Sequence, residues 1–280
     1  MITNAVEQAI KNIRIKSRGE VATVNHVVTI NFHPDRYTAN KKPLLLSIAE
    51  DGYLKSQFET GTSNGGLTAY HGGARWAWEQ RVFDGAYDNA PDNLRPKYGA
   101  LNYRNYEMGA SRRFGSSYFQ LKPHILERTT FCFPDSYFEP EHFAVSNRLK
   151  ALIDMAKLSN CDLLDDYIEA HIHGIVSLKE DVECLVLDPV FRGTSVEDYA
   201  LRSGVPIRWH KGYELSLEQM RLFPEYRGQE YIDLAEELAQ DGKINARLLG
   251  LAVTEQGYAE QDIKKIWHYL ARFGYLSDRA

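Results

Sequence analysis

The residues best suited to chemistry stand in Asp166-Tyr167-Ile168-Glu169-Ala170-His171-Ile172-His173-Gly174, where a carboxylate and two imidazoles recur at every second position. Period-two alternation is that of a β-strand, whose successive side chains point to opposite faces. Ile168, Ala170 and Ile172 can then enter a core, while Tyr167, Glu169, His171 and His173 share the other face. Three readings follow. A lone carboxylate can stabilise a developing cation. A carboxylate with two imidazoles can bind a zinc-type ion and leave its fourth position open. An edge strand with solvated polar residues would do neither.

Two further stretches carry polar groups in places where a ligand could meet them. In Asn31-Phe32-His33-Pro34-Asp35-Arg36 the proline cannot donate to a ladder, so His33 and Arg36 fall at a strand tip. Gly61-Thr62-Ser63-Asn64-Gly65-Gly66 is a polar, glycine-rich loop whose amides and hydroxyls could approach a ligand closely. It lacks the Gly-Lys-Ser/Thr ending of a phosphate-cradling P-loop; a hairpin tip is the plain alternative. Glu139-Pro140-Glu141 is acidic but carries a proline and reads as loop.

The elements that must position these groups are mixed. Helices are expected over 5–16, 44–49, 74–83 and 143–159, the last with Leu149, Leu152, Ile153 and Ala156 at helical spacing. Strands are expected over 27–32, 53–60, 97–103, 115–121, 128–133, 166–174, 181–189 and 205–210, rich in β-branched and aromatic residues. Beyond 216 the pattern turns to helices only, over 216–222, 228–240, 245–251 and 260–273. Short strands that do not alternate regularly with helices argue for α+β and against a doubly wound parallel sheet. The chain thus divides into an N-terminal helix (1–20), a β-rich domain (21–215) and a helical C-terminal element (216–280).

A chain of 280 residues with 44% hydrophobic and 25% charged residues can bury a substantial core. Its formal charge of −5 does not favour nucleic acid as a partner. No apolar run is long enough to span a bilayer, and the first residues lack a signal-peptide core. Cys132, Cys161 and Cys184 are odd in number and fit reduced thiols better than a disulfide framework.

Four stretches together resemble a bacterial family grouped by fold similarity with the ADP-ribosyltransferases. They are Asn31 to Arg36, Ser56-Gln57-Phe58-Glu59-Thr60 running into Gly61 to Gly66, Arg95-Pro96-Lys97-Tyr98-Gly99-Ala100-Leu101-Asn102, and Glu169 to Gly174. The likeness covers roughly residues 25 to 215. It implies a split β-sandwich with NAD as co-substrate in its cleft and no metal. Glu169 would be the catalytic residue, stabilising the charge on the ribose. His33 or Arg36 would hold the pyrophosphate or adenosine ribose; Thr62, Ser63 and Asn64 would lie at the nicotinamide ribose. Tyr98 could stack on a ring or sit in the core. The resemblance further implies transfer of ADP-ribose to a protein side chain by an effector or toxin. Such a protein would stay in the bacterial cytoplasm until export without a cleavable signal. Arginine is the favoured acceptor, although arginine-modifying members usually have Glu or Gln where this chain has Tyr167. A metal-dependent hydrolase built on Glu169, His171 and His173 is the alternative.

Overall fold

The computed structural model describes residues 4–22, 25–61 and 68–276. Helix α1 (Asn4–Lys16) precedes strand β1 (Val28–Phe32), which stops before Pro34 as expected. Helix α2 (Leu44–Asp51) closes on Gly52, whose φ of 72° lies in the left-handed region open to glycine. The second expected strand divides. Only β2 (Tyr53–Leu54) is extended, and Gln57–Thr60 forms helix α3. Ser56 is the reason: its hydroxyl accepts from the Glu59 N–H while the Glu59 carboxylate accepts from the Ser56 N–H. That reciprocal cap starts a helix despite the β-prone residues around it.

Helix α4 (Ala74–Phe83) and strands β3 (Lys97–Leu101), β4 (Ser117–Leu121) and β5 (Thr129–Phe133) lie where periodicity put them. The helix expected from residue 143 begins late. Its first turn is replaced by strand β6 (His142–Val145), which pairs with β5, and α5 spans only Lys150–Leu158. Pairing beside β5 buries Phe143, Ala144 and Val145, and this tertiary gain overrides their place in a helical pattern.

Strands β7 (Ile168–Ile172) and β8 (Val176–Ser177) follow, then the short helix α6 (Leu178–Asp181) and β9 (Val182–Leu187). Helix α7 (Ser195–Arg202) leads to β10 (Ile207–Trp209) and β11 (Glu214–Ser216). The C-terminal third is not helices only. After α8 (Leu217–Met220) and α9 (Gln229–Leu238), strand β12 (Lys243–Asn245) pairs back onto β11 before α10 (Ala246–Thr254) and α11 (Glu260–Phe273).

Eight strands form one sheet in the order β10-β9-β4-β1-β3-β7-β5-β6, and its pairings are antiparallel except β9 with β10. The architecture is therefore mixed α and β around a large, mostly antiparallel sheet. Strand β7 lies inside it, between β3 and β5, and all five of its residues are buried. The edge-strand reading is thus incorrect.

Both sheet faces are covered. Phe32, Leu101, Phe131, Ile168, Ala170 and Ile172 enter one large core that also takes Ile232 of α9, Leu249 of α10 and Leu270 of α11. Each of the larger of these side chains contributes about 1.5–3 kcal/mol on burial. Over the other face, α1 and α4 lay Ile10, Ile13, Trp78 and Phe83 against Cys132, Phe143 and Val145. Helix α11 is anchored by Trp267, whose indole N–H donates to the carbonyls of Arg112 and Arg113. Gly250 of α10 meets the β1 tip, where a Cβ would collide with the Asp35 carboxylate. Among the described residues, no helix is long and apolar enough to cross a membrane.

Candidate functional site

The register of the sheet sets Thr29, Ala100, Glu169 and Cys132 abreast on β1, β3, β7 and β5. Residues opposite one another share a face, so this row points away from the large core. Helix α4 covers part of it. His171 lies beneath Trp78 and Phe83, with ring centroids 5.1 and 5.7 Å away. Glu169 sits at the margin of that cover, 6% exposed.

Each Glu169 oxygen has donors. The Ser136 hydroxyl donates to Oε2 at 3.0 Å, and His171 Nε2 lies 3.1 Å from Oε1. Arg75 holds Ser136 in turn, donating to its hydroxyl at 2.9 Å. Burial alone would raise the Glu169 pKa. The hydrogen bond from His171, the nearby Arg75 guanidinium and the Ser136 hydroxyl oppose it, and the carboxyl is held below its ordinary value. Its neighbour Asp135 goes the other way: burial and the Glu169 charge raise it, against the donated hydrogen bonds of Tyr167 and Tyr137. Two carboxylates in one site with opposite shifts divide naturally into a fixed anion and a proton acceptor.

The imidazoles have distinct surroundings. His171 Nδ1 lies 3.1 Å from the Thr130 hydroxyl, which lies 2.9 Å from His173 Nε2. His173 Nδ1 lies 2.7 Å from the Tyr87 hydroxyl. Both His173 nitrogens are therefore engaged beneath α4. The metal trio of the alternative reading, Glu169, His171 and His173, is not assembled among the described residues. Cys132 stands in its place: its sulfur, a Glu169 oxygen and a His171 nitrogen lie within 4.8 Å of one another.

Glu169 opens into a cleft of about 1220 Å³ that also takes in Tyr98, His33 and Arg36. Four of the residues expected at the site thus face one space. Thr62, Ser63 and Asn64 lie outside the described residues, although Thr60 on their N-terminal side lines the cleft. Glu139 and Glu141 are exposed and are not among its lining residues. Tyr98 is held on its own account: its hydroxyl donates to Glu79 at 2.8 Å, and the Arg75 guanidinium covers its ring at 3.9 Å. Glu79 also receives Arg95 at 2.7 Å, which makes α4 and the start of β3 one buried polar unit.

The cleft is basic in an acidic chain. Among the described residues its wall carries eight cations (Arg36, Lys41, Lys42, Lys55, Arg75, Lys97, Arg113, Lys264) against five carboxylates (Asp51, Glu59, Asp135, Glu169, Glu260). At the β1 tip, burial and the Arg36 charge push His33 well below its ordinary pKa, so it is neutral. Arg36 pairs loosely with Glu260 at 3.7 Å, and its Nε and Nη1 are buried with no hydrogen-bond partner among the described residues. A guanidinium with two buried nitrogens that make no hydrogen bond is costly and suits an anion that completes it.

Arg75, Asp135, Ser136, Arg113 and Lys264 were not legible as site residues, because they come from four separate parts of the chain, with only Asp135 and Ser136 adjacent, and none sits in a repeating pattern. Asp135 follows the Pro134 strand stop, a position that merited notice.

Among curated proteins, none matches the chain. A family model matches residues 27–161 and 141–273, which together span most of the chain. The protein belongs to the family described as "Protein of unknown function (DUF3626)".

Proposed function

We propose that the protein is an NAD-dependent mono-ADP-ribosyltransferase, with a protein side chain as acceptor and arginine favoured. The observation that carries this reading is that the buried, ionised Glu169 shares one basic cleft with the unsatisfied Arg36. Cleft volumes of roughly 300–1,000 Å³ already hold drug-sized ligands, so this one has room for a dinucleotide. Arg36 takes the pyrophosphate, and the resemblance places Thr62, Ser63 and Asn64 at the nicotinamide ribose. Glu169 stabilises the positive charge that builds on that ribose as the nicotinamide bond breaks, and orients the incoming nucleophile. Asp135 takes the nucleophile's proton. Tyr98 acts by fixing Arg75 behind Ser136.

On this reading the split sandwich arises from the twist and curl of one continuous eight-stranded sheet, since large sheets curl or fold over. The protein would act as an exported effector or toxin on a host or target protein.

The rival is a metal-dependent hydrolase, favoured by the convergence of Cys132, Glu169 and His171. It is the weaker reading, because Arg75 beside Glu169 repels a cation. Incubating purified protein with NAD and a cell lysate separates the two. Nicotinamide release with label on a protein supports the transferase. No release from any lysate, with stoichiometric metal in the purified protein, supports the hydrolase.

A further inference from the structure

We infer that His171 and His173 are positioning residues for Glu169, joined through Thr130 and Tyr87 into a hydrogen-bond chain of one direction that holds Glu169 as an anion. What Glu169 does rests on the transferase reading; the chain itself does not.

The direction follows link by link. An ionised carboxylate offers lone pairs and no proton, so the 3.1 Å contact requires His171 Nε2 to donate to Glu169. A neutral imidazole carries one N–H, which leaves Nδ1 of His171 to accept from the Thr130 hydroxyl. Thr130 has one proton, now spent. Its oxygen must therefore receive the N–H of His173 Nε2. His173 Nδ1 in turn accepts from Tyr87, whose hydroxyl burial keeps protonated. Neutral imidazoles are what the site imposes: burial lowers both histidines, and for His173 the Arg128 and Lys97 charges add to it. All four side chains of the chain beyond Glu169 are 2% exposed or less.

The consequence is mechanistic. Were Glu169 to take a proton on Oε1, its hydrogen bond with His171 could persist only if the donors reversed in sequence back to Tyr87, within a site closed to water; a proton on Oε2 would displace the hydrogen bond that Ser136 donates there. Glu169 thus works as a fixed charge of set orientation, not as a general base. Linked hydrogen bonds of this kind reinforce one another.

Thr130 tests the inference because it sits under α4, outside the cleft wall. Thr130→Val removes both central links with little change of shape; Thr130→Ser restores the hydroxyl. Imidazole ¹⁵N NMR on the full chain at neutral pH is expected to show both histidines neutral with the proton on Nε2. In Thr130→Val, kcat for nicotinamide release is expected to fall about 10²-fold, with KM for NAD nearly unchanged and with recovery in Thr130→Ser. A proton on Nδ1 of either ring, a charged ring, or a folded Thr130→Val with undiminished kcat would overturn the chain. A wild type that releases no nicotinamide would sink the transferase reading alone, since the NMR tautomers still decide the chain.

Discussion

The two ends of the cleft treat their buried polar groups in opposite ways. The polar atoms of Glu169 and of the two imidazoles behind it all have partners: Ser136 and His171 on the carboxylate, Thr130 between the imidazoles, Tyr87 at the far end. At the β1 tip the reverse holds. Arg36 Nε and Nη1 and the adjoining Asp35 Oδ1 are buried with no hydrogen-bond partner among the described residues. Buried polar groups are normally satisfied, and each one left over costs about 1–3 kcal/mol. The contrast teaches a division of labour. On the proposed reading, Glu169 is organised before any ligand arrives, and the tip is the part that a ligand completes.

Breaking the organised end should cost stability first. Glu79→Ala strands Arg95, which is 1% exposed, and is expected to destabilise the fold by about 3–5 kcal/mol in urea titration. The other end should respond through binding. Arg36→Ala is expected to weaken affinity for ADP-ribose or NAD by roughly 10–100-fold in calorimetry, with little loss of thermal stability. A large stability loss there would mean the tip is built for the fold and not for a ligand. Tyr87→Phe removes one donor from the end of the imidazole chain; about 1–3 kcal/mol of stability should go with it.

The smallest effect concerns Asp35 and pH. Burial raises its pKa from 3.8 to about 6, against the lowering pull of Arg36. The folded state then binds the proton more tightly than the unfolded state, so this group costs stability as pH rises from about 4 to about 6. Asp35→Asn should raise Tm by a few degrees at pH 7, and the gain should narrow towards pH 4. An equal gain at both pH values would show that the carboxylate's charge is not the cause.

Some of this was legible and some was not, for physical reasons. Alternation located β7 and paired Glu169 with His171 and His173, because a strand forces residues two apart onto one face. It could not show that the strand is interior, since a polar face covered by Trp78 and Phe83 reads the same as one covered by water. The Ser56-Gln57-Phe58-Glu59 word carried a visible capping signature, yet its β-prone flanks suggested a strand. Lys264 gave no local signal. It reaches the cleft only because Trp267, three residues on, docks α11 against the loop before β4. The tip was marked by Pro34, but its unmet hydrogen bonds belong to packing alone.

The most direct test compares wild type with Glu169→Gln, incubated with NAD labelled in its adenylate portion and a whole-cell lysate, with parallel measurement of ADP-ribose binding. The variant keeps nearly the same shape and loses the charge. The expected result is a labelled protein band with wild type, transfer reduced by at least about 10²–10³-fold in Glu169→Gln, and ADP-ribose binding retained in both. Equal labelling by the two proteins would contradict the assignment of Glu169, and absence of labelling and of nicotinamide release by wild type would contradict the transferase itself.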